Sequence, residues 1–401
     1  MTLHASNQGS SGRGARLGGD VFLTGATGFL GVHLLRELVE QTDATVSVLV
    51  RGASEHAARA ALARQLDWYF RDFSLASLEG RVRVVLGDLE AAKLGLDGRT
   101  WDELAGSLGT IVNAAADVNH VGAASRAFRI NTEAVAVLLD LAKQGCEKVF
   151  HHVSTASVQG EFKDPAPLAA FKETHLEEGQ VFSGAYPESK YRAEVLMRRA
   201  FEDGLGGAVY RVGYVGPHSV TGQYQRNIHQ SNTARYVRAC VRLGFAPYLP
   251  EETVQLTPVD SVAGAIVRLM TRGANQGKTY YIDSPQQISL YDVQRVLHAA
   301  GYPLRLLDVD TFVEKATRLS NDTESLTVIA PSTATEGPHP IPTDTTWSQR
   351  ELAKVGFEYP LLDGAWLGRF LQHAIEVGFV EAPRFWNVAP VLADILRGGQ
   401  G

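Results

Sequence analysis

The chain of 401 residues is 45% hydrophobic and 20% charged, a composition typical of a globular protein with one large domain or two smaller ones. A formal net charge of -6 argues against bulk nucleic-acid binding. The two cysteines, Cys146 and Cys240, exclude a disulfide framework and a zinc site with the usual ligand spacing, so we expect no metal and a protein of the reducing cytoplasm.

The N-terminal stretch, residues 1–18, is polar and rich in glycine and serine. It lacks the apolar core of a signal peptide, so we interpret it as a flexible tail or an inter-domain linker. The chain has no run of about 18 apolar residues, which a transmembrane helix would need. We therefore expect no membrane as a partner.

Short apolar runs alternate with helical patterns along the first half of the chain. Residues 45–51, TVSVLVR, form one such run, while residues 29–38 carry apolar side chains at the spacing of a helix. Nearly continuous apolar strands that alternate with helices form a parallel sheet covered on both faces, so the sequence predicts a doubly wound α/β fold of the Rossmann type. The predicted strands cover residues 20–25, 45–51, 82–88, 110–116, 148–155 and 208–215, with a late strand at 278–283.

The stretch TGATGFLG, residues 24–31, follows the first predicted strand and opens the first helix. A glycine-rich turn at this place lets the backbone approach a pyrophosphate, while free N–H groups at the helix N-terminus face the negative charge. We assign Gly25 to the tight turn, Gly28 to the close approach and Gly31 to the contact between helix and strand. A packing turn would also use glycines, but the second strand ends about twenty residues later, as a dinucleotide-binding unit requires.

The residue that ends the second strand indicates which dinucleotide binds. An acidic residue there would accept hydrogen bonds from the adenosine ribose and select NAD, but this chain has Arg51. A guanidinium suits a 2′-phosphate, so the sequence favours NADPH. Arg59 and Arg64 on the next helix are either second phosphate contacts or solvated charges. We expect Asp88 to face the adenine amine and Ala114, Ala115 and Ala116 to line the cofactor.

Tyr186 and Lys190 lie four residues apart in AYPESKYRAE, which puts the phenol and the ammonium on one face of a helix. A phenol has a pKa near 10, and we expect the ammonium to lower it, so that Tyr186 can protonate a carbonyl oxygen that receives a hydride. Such a pair occurs by chance in many helices. Here Ser154 and Thr155 also end the fifth strand, where a hydroxyl can stabilise an oxyanion.

Two further groups of basic residues have alternative interpretations. His151 and His152 are neighbours on a strand and point to opposite faces, so they cannot chelate a metal together, and we expect one to be buried and one partly exposed. Arg235, Arg238 and Arg242 form a stripe on a predicted helix. This stripe either contacts a phosphate group or an acidic partner, or it is a solvated helix face.

The alternation of strand and helix patterns becomes irregular after about residue 216. From there we predict a smaller lobe at the carboxyl edge of the sheet. Residues 233–244 have a helical pattern, and residues 256–271 begin at a strand end and continue as a helix. Residues 331–346 are rich in proline and threonine, which predicts a long loop. We predict an NADP-binding Rossmann domain over 19–283, in which 216–250 contribute to the lobe, and a mainly helical substrate-binding subdomain over 284–396. Apolar residues that suit either an acyl channel or the core are Val118, Val121, Tyr214, Val215, Phe245 and Tyr248.

The order of TGATGFLG, STASVQG and YPESK resembles the extended short-chain dehydrogenase/reductases. Alignment of SVQG with the S-V-Y-G of that superfamily places the catalytic hydroxyl at Thr155 rather than Ser154, and Gln159 stands where an aromatic residue is common. LVRGASEHAARAAL, NAAADVNHVGAASRAFRINTEAV and ELAKVGFEYPLLDGAWLGRFLQHAIEVGF are similar to the thioester reductase domains of nonribosomal peptide and polyketide synthases and of carboxylic acid reductases. The similarity runs from about residue 19 to residue 382.

That resemblance implies NADPH-dependent reduction of an acyl or peptidyl thioester on the phosphopantetheine arm of a carrier protein. The products are a thiol and an aldehyde, which some members reduce further to a primary alcohol. Tyr186 would donate the proton, Lys190 would tune Tyr186 and bind the nicotinamide ribose, and Thr155 would stabilise the oxyanion. Asn131 lies in a segment that serves either helix packing or a water relay. The cofactor contacts would include Thr24, Gly25, Thr27, Gly28, Phe29, Leu30, Gly31, Arg51, Asp88, Leu89, Ala114, Ala115, Ala116, Tyr186, Lys190, Tyr214 and Val215.

Three other functions are compatible with parts of this pattern. An extended reductase or epimerase could act on a free carbonyl compound or a nucleotide sugar, but the C-terminal pattern disfavours it. A non-catalytic NADPH-binding regulator and a release domain without reductase activity are disfavoured by the intact pair of Tyr186 and Lys190. The sequence leaves open whether two or four electrons are transferred, and whether the chain is a discrete protein or a terminal domain.

Overall fold

The computed structural model describes residues 17, 19–118, 124–163, 167–272, 277–319 and 340–383. The strands are β1 Asp20–Thr24, β2 Val46–Val50, β3 Val82–Leu86, β4 Leu108–Asn113, β5 Val149–Thr155, β6 Gly206–Val212, β7 Val215–Gly216, β8 Phe245–Pro247, β9 Thr253–Val254, β10 Thr257–Pro258, β11 Lys278–Ile282, β12 Ile288–Ser289 and β13 Arg305–Leu307. The helices are α1 Phe29–Gln41, α2 Glu55–Tyr69, α3 Gly98–Ser107, α4 Ala124–Phe128, α5 Ala134–Ala142, α6 Ala185–Glu202, α7 Asn232–Leu243, α8 Val259–Thr271, α9 Leu290–Ala299, α10 Val309–Leu319, α11 Thr346–Lys354 and α12 Gly364–Glu376.

Seven parallel strands form the central sheet, in the order β11-β6-β5-β4-β1-β2-β3. This order confirms the predicted doubly wound fold, because the chain moves outward from β1 to one edge and then returns to continue from β4. All seven strands end at the same edge of the sheet. Ligands of such sheets bind at this carboxyl edge, where β1 and β4 lie side by side and the connections diverge.

Helices cover both faces of the sheet, as nearly continuous apolar strands require. On one face, Leu34 of α1, Leu62 of α2 and Ile266 of α8 are fully buried in one core cluster. On the other face, Leu138 of α5 and Met197 of α6 are fully buried in a second cluster with helix α3. Each buried leucine contributes about 1.5–3 kcal/mol through the water that it releases, so these two layers hold the strand ends in place.

A smaller lobe follows the sheet, with helices α7, α9 and α12 around a third core cluster. Trp366 and Phe370 of α12 lie in this cluster with Val237 of α7 and Leu297 of α9. Helix α11 lies elsewhere, because its Trp347 stacks on Tyr280 of β11 with ring centroids 5.0 Å apart. The segment after the lobe therefore returns to the edge of the sheet before it forms α12.

Three sequence expectations fall on the part of the chain that lies outside the described residues. These are the N-terminal tail, residues 1–18, except Leu17, the channel residue Val121, and most of the predicted loop at 331–346. Among the residues that the structure describes, none of the helices has the length and apolar character to cross a membrane. The described part of the chain also holds no group of three or more His, Cys, Asp or Glu side chains that could bind a metal ion.

Candidate active site

The glycine turn between β1 and α1 has a shape that larger residues could not adopt. Gly25 has a positive φ of 81°, and a Cβ there would lie 2.6 Å from the backbone nitrogen of Ala115. A Cβ on Gly31 would lie 1.9 Å from the carbonyl oxygen of Gly25. Gly25 therefore forms the tight turn, and Gly31 lets the start of α1 pack against it, as the sequence predicted.

Gly28, the N-cap residue of α1, leaves space on the outer side of this turn. A Cβ at Gly28 would meet only the carbonyl oxygen of Gly25, at 3.2 Å. No side chain among the described residues caps α1, and its first turn holds no acidic residue. The first N–H groups of a helix lack partners within the helix and attract anions, so this cradle fits the pyrophosphate of a dinucleotide.

A buried chain of polar side chains connects this turn to the catalytic helix α6. Thr24 Oγ1 donates to Asn113 Oδ1 at 2.5 Å, and the Asn113 amide nitrogen lies 3.2 Å from Nδ1 of His152. The other ring nitrogen of His152 lies 3.3 Å from the Lys190 ammonium. All four side chains are buried, so the positions of β1, β4, β5 and α6 are coupled.

Tyr186 is half-buried on α6 and forms a side-chain hydrogen bond with Thr155, the last residue of β5. Burial raises the pKa of Tyr186 above its usual value of 10.0, and the nearby Tyr214 raises it further. The hydrogen bond with Thr155 lowers this pKa, but it does not outweigh the effect of burial. The sequence predicted that Lys190 would lower the pKa of Tyr186, and this prediction is wrong. The Lys190 ammonium instead donates to the Val153 carbonyl oxygen at 2.6 Å. The phenol therefore keeps its proton at neutral pH, as a proton donor requires.

The Lys190 ammonium is one of the most deeply buried charges of the site, with 1% of the residue exposed. Burial lowers the pKa of Lys190 from 10.5 to about 8, although the nearby Glu194 carboxylate raises it. Lys190 is therefore mostly charged at neutral pH.

Ser154 and Thr155 have different surroundings, although both end β5. Ser154 Oγ donates to Glu194 at 2.5 Å, and Glu194 forms a buried ion pair with Arg211 at 2.9 Å. Ser154 thus belongs to a structural network. Thr155 Oγ1 accepts the backbone N–H of Ser157 at 3.2 Å and contacts Tyr186, which favours Thr155 as the hydroxyl that acts with Tyr186.

Asn131 lies in a π-helical turn, Arg129–Glu133, which joins α4 to α5. Its amide accepts the backbone N–H of Asp117 at 2.8 Å and donates to Ser189 Oγ at 3.0 Å. Ser189 in turn donates to the carbonyl oxygen of Tyr186 at 2.8 Å. Asn131 therefore fixes the loop after β4 against the catalytic helix, and π-helical turns are frequent at functional sites.

Arg51 projects from the end of β2 with 63% of its side chain exposed and lies 3.7 Å from Glu90. Asp88 does not extend freely, because its carboxylate accepts the backbone N–H of Glu90 at 3.0 Å. Arg59 and Arg64 are exposed on α2. The remaining predicted cofactor residues, Thr27, Phe29, Leu30, Leu89, Ala114, Ala115, Ala116, Tyr214 and Val215, all lie just after the strands, along the same carboxyl edge.

The two neighbouring histidines are both buried, with 2% of His151 and 0% of His152 exposed. The expectation that one would be partly exposed is wrong, because β5 lies in the centre of a sheet that is covered on both faces. His151 Nδ1 lies 2.9 Å from the hydroxyl of Tyr210, and burial lowers the pKa of His151 to about 3. Both imidazoles are therefore neutral at neutral pH, since burial and the nearby Lys190 charge hold the pKa of His152 well below 6.5.

The described apolar residues that were predicted to line an acyl channel or the core differ in exposure. Val118 and Tyr248 are each 52% exposed, and Tyr214 is 73% exposed. Phe245 is buried against Phe312 with ring centroids 5.7 Å apart, so it is a core residue of the lobe. In the arginine stripe on α7, the Arg238 guanidinium lies over the ring of Phe379 at 4.2 Å.

The sequence did not predict the hydrogen-bonded series formed by Thr24, Asn113 and His152. It also did not predict that Arg126 and Arg129 lie at the site, where they form ion pairs with Glu90. Side chains alternate between the two faces of a strand, so the position of His152 in β5 could have indicated which residues of the neighbouring strands it contacts. The two arginines carried no signal, because their contacts depend on the loop that follows β3.

Comparison with known proteins gives several matches. The profile of a family described as Male sterility protein, an NAD-binding family, matches residues 23–266. An isonitrile lipopeptide synthase from Streptomyces coeruleorubidus is 32% identical over 378 residues, which cover 90% of this chain. The terminal R domain from the myxalamid PKS-NRPS biosynthetic pathway has a TM-score of 0.81 at 31% identity and covers 94% of both chains. The reductase (R) domain of a Mycobacterium tuberculosis nonribosomal peptide synthetase has a TM-score of 0.75 at 26% identity, covering 92% of this chain and 94% of that one.

The curated relatives are much longer proteins. The chain spans 25% of the lipopeptide synthase and 30% and 6% of two other synthetases that it matches. The similarity therefore concerns one part of each of these proteins.

Proposed function

The chain belongs to the Male sterility protein family and, within it, to the thioester reductase domains of the extended short-chain dehydrogenase/reductases, and we propose that it releases an acyl or peptidyl chain by NADPH-dependent reduction of a carrier-bound thioester. It is an oxidoreductase that takes a nicotinamide cofactor. The preference for NADPH, the carrier protein and the roles of individual residues are parts of the proposal.

The observation that carries the proposal is the contact between Tyr186 and Thr155 beside Lys190. These side chains lie at the same sheet edge as the glycine turn, which fits a dinucleotide pyrophosphate. Hydride addition to a thioester carbonyl places negative charge on the oxygen, and two hydroxyl donors in fixed positions stabilise that charge. A protonated phenol and a neighbouring hydroxyl are the groups that such an oxygen needs.

We assign the chemical steps to the chain's own side chains. Bound NADPH would supply the hydride. Tyr186, whose pKa is raised by burial, donates its proton to the carbonyl oxygen of the substrate, and Thr155 donates a hydrogen bond to the same oxygen. The resulting hemithioacetal loses the thiol of the carrier arm and leaves an aldehyde. Lys190, whose ammonium donates to the Val153 carbonyl oxygen, would hold the ribose hydroxyl groups of the cofactor.

The preference for NADPH rests on Arg51 at the end of β2. Its guanidinium is exposed, so a phosphate on the adenosine ribose could reach it, and the position carries no carboxylate that would bind a ribose diol. A guanidinium binds phosphate through two parallel hydrogen bonds. We therefore expect NADPH to bind more tightly than NADH.

A carrier protein is the proposed partner because the similar proteins are parts of assembly-line enzymes. One similar synthetase and two similar R domains are named for nonribosomal peptide or mixed PKS-NRPS biosynthesis. In such an enzyme, the substrate arrives as a thioester on a long flexible arm, which suits a site at an open sheet edge. The number of electrons then depends on whether the aldehyde leaves or binds again.

The test measures NADPH oxidation with an acyl thioester, first on a small thiol and then on a carrier protein, with the products identified. One NADPH for each thiol, with aldehyde present, supports two-electron release, and two NADPH with alcohol supports four-electron release. Oxidation of NADPH by free aldehydes or ketones alone, with no thioester reduced, would contradict the proposal and favour a free-carbonyl reductase. The Tyr186→Phe variant controls for reduction outside this site.

A further inference from the structure

Three arginines from two parts of the fold converge on one carboxylate at the adenosine end of the proposed cofactor site. Arg51 follows β2, Arg126 lies in α4, and Arg129 begins the π-helical turn. Their guanidinium nitrogens lie 3.7, 3.1 and 3.2 Å from the oxygens of Glu90, which follows β3. Glu90 is thus the centre of a cationic cluster.

The three arginines are not equivalent within this cluster. Arg126 bridges two carboxylates, since it lies 3.1 Å from Glu90 and 3.1 Å from Asp117. Arg129 approaches Glu90 through both Nε and Nη2, at 3.4 and 3.2 Å, and 41% of its side chain is exposed. Arg126 is therefore held by two carboxylates, whereas the ion pair of Arg129 is with Glu90.

We propose that Arg129 is a second residue, with Arg51, that binds the 2′-phosphate of NADPH, and that Glu90 holds both guanidinium groups in position before the cofactor arrives. A single carboxylate carries one negative charge, whereas a phosphate monoester carries close to two and offers three acceptor oxygens. Arg51 lies near Oε1 of Glu90 and Arg129 near Oε2. A phosphate dianion bound between the two guanidinium groups would therefore offer each of them more negative charge and more acceptor oxygens than the Glu90 carboxylate does. The inference rests on the proposed use of NADPH.

Glu90 fits this role because its carboxylate, 23% exposed, forms ion pairs with all three arginines. Burial raises the pKa of Glu90, but the hydrogen bonds from Arg129 and Arg126 outweigh it and hold the pKa below its usual range. Its carboxylate is therefore ionised at neutral pH. As a fixed negative charge, Glu90 orders the arginines and also repels a phosphate, so it limits the affinity of the site.

The structure also supplies a matched control in α2. Arg59 and Arg64 were considered as second phosphate contacts from the sequence, but none of the ion pairs of Glu90 involves them. Both are exposed on the helix that follows Arg51. An Arg59→Ala variant therefore removes an equal charge from the same region without touching the cluster.

The test is isothermal titration calorimetry of the full chain with NADPH and, separately, with NADH. We expect Arg129→Ala to weaken NADPH binding about tenfold, which corresponds to two partly exposed charged hydrogen bonds, and to leave NADH binding within twofold. Arg51→Ala should do the same, and Arg59→Ala should change neither. Glu90→Gln should strengthen NADPH binding two- to fivefold, because the competing charge is removed.

Each other result identifies what has failed. Unchanged NADPH binding in Arg129→Ala, with the loss confined to Arg51→Ala, would overturn the inference and leave the NADPH preference standing. Equal weakening of NADPH and NADH by Arg129→Ala would also overturn it and would indicate a structural role. If the unmodified chain binds NADH as tightly as NADPH, the proposed cofactor preference fails together with this inference, whereas thioester reduction is decided by the separate activity assay.

Discussion

Replacement of Lys190 by methionine should make the folded protein more stable while it removes activity. Burial lowers the pKa of Lys190 from 10.5 to about 8, so the charged form is disfavoured in the folded state. This difference corresponds to about 3 kcal/mol of destabilisation at neutral pH. Loss of the hydrogen bond to the Val153 carbonyl oxygen offsets about 1 kcal/mol of the gain, so we expect Lys190→Met to raise the free energy of unfolding by about 2 kcal/mol at pH 7.

The destabilisation by Lys190 should depend on pH in one direction only. Below pH 8, Lys190 is protonated in both states, and the folded state bears the full desolvation cost. Between pH 8 and pH 10.5 the unfolded state binds more protons, so the Lys190 contribution to stability rises with pH. The advantage of Lys190→Met should therefore shrink through this window and disappear above it.

Urea unfolding at several pH values, followed by circular dichroism, measures the difference between variant and parent. Lys148→Met is the matched control, because the buried Lys148 ammonium donates to the carbonyl oxygens of Ala105 and Cys146 at 2.8 and 2.9 Å. This control should lose about 1–3 kcal/mol, since it leaves buried acceptors unpaired. A Lys190→Met variant that is less stable than the parent at pH 7, or whose difference does not change with pH, would refute the reasoning.

Three further predictions concern the site. Tyr186→Phe should lower the rate of thioester reduction on the order of a hundredfold with an unchanged melting temperature, because it removes only the proton donor; a rate within threefold of the parent would exclude Tyr186 from that role. Thr155→Val should reduce kcat more than Ser154→Ala, which instead should lower stability because Ser154 donates to the buried Glu194. Gly28→Ala should weaken dinucleotide binding, measured by calorimetry, without loss of the fold. Gly31→Ala should lower the melting temperature, because the Cβ of the alanine would lie 1.9 Å from the carbonyl oxygen of Gly25.

The central sheet could be predicted from the sequence because its strands form short, mainly apolar runs between helical patterns. Every residue of β2, VSVLV, is buried, and such a run has few alternatives between two helical patterns. The predicted strand at 110–116 begins earlier, at Leu108, and ends at Asn113. Apolar composition does not show that β4 ends at Asn113, because the next residues, Ala114–Ala116, are also apolar although they lie beyond the strand.

The candidate site could be predicted where its residues form local motifs. Gly25, Thr155 and Tyr186 lie in short stretches whose spacing indicates their place in the fold. By contrast, Thr24 and Asn113 are 89 residues apart, and their contact depends on the strand order. The pKa of Tyr186 was also beyond sequence reasoning, because the four-residue spacing to Lys190 does not reveal that the ammonium turns toward the backbone of β5.

The buried polar groups behind the site indicate how the fold keeps the catalytic side chains in place. Burial of an ion pair such as Glu194 with Arg211 is a weak source of stability, because desolvation cancels most of the attraction. The pair nevertheless fixes Ser154, which directly precedes Thr155, to the helix that carries Lys190. Lys190 itself lowers stability by being buried. Both features are therefore better explained by the need to hold Thr155, Tyr186 and Lys190 in one arrangement than by stability.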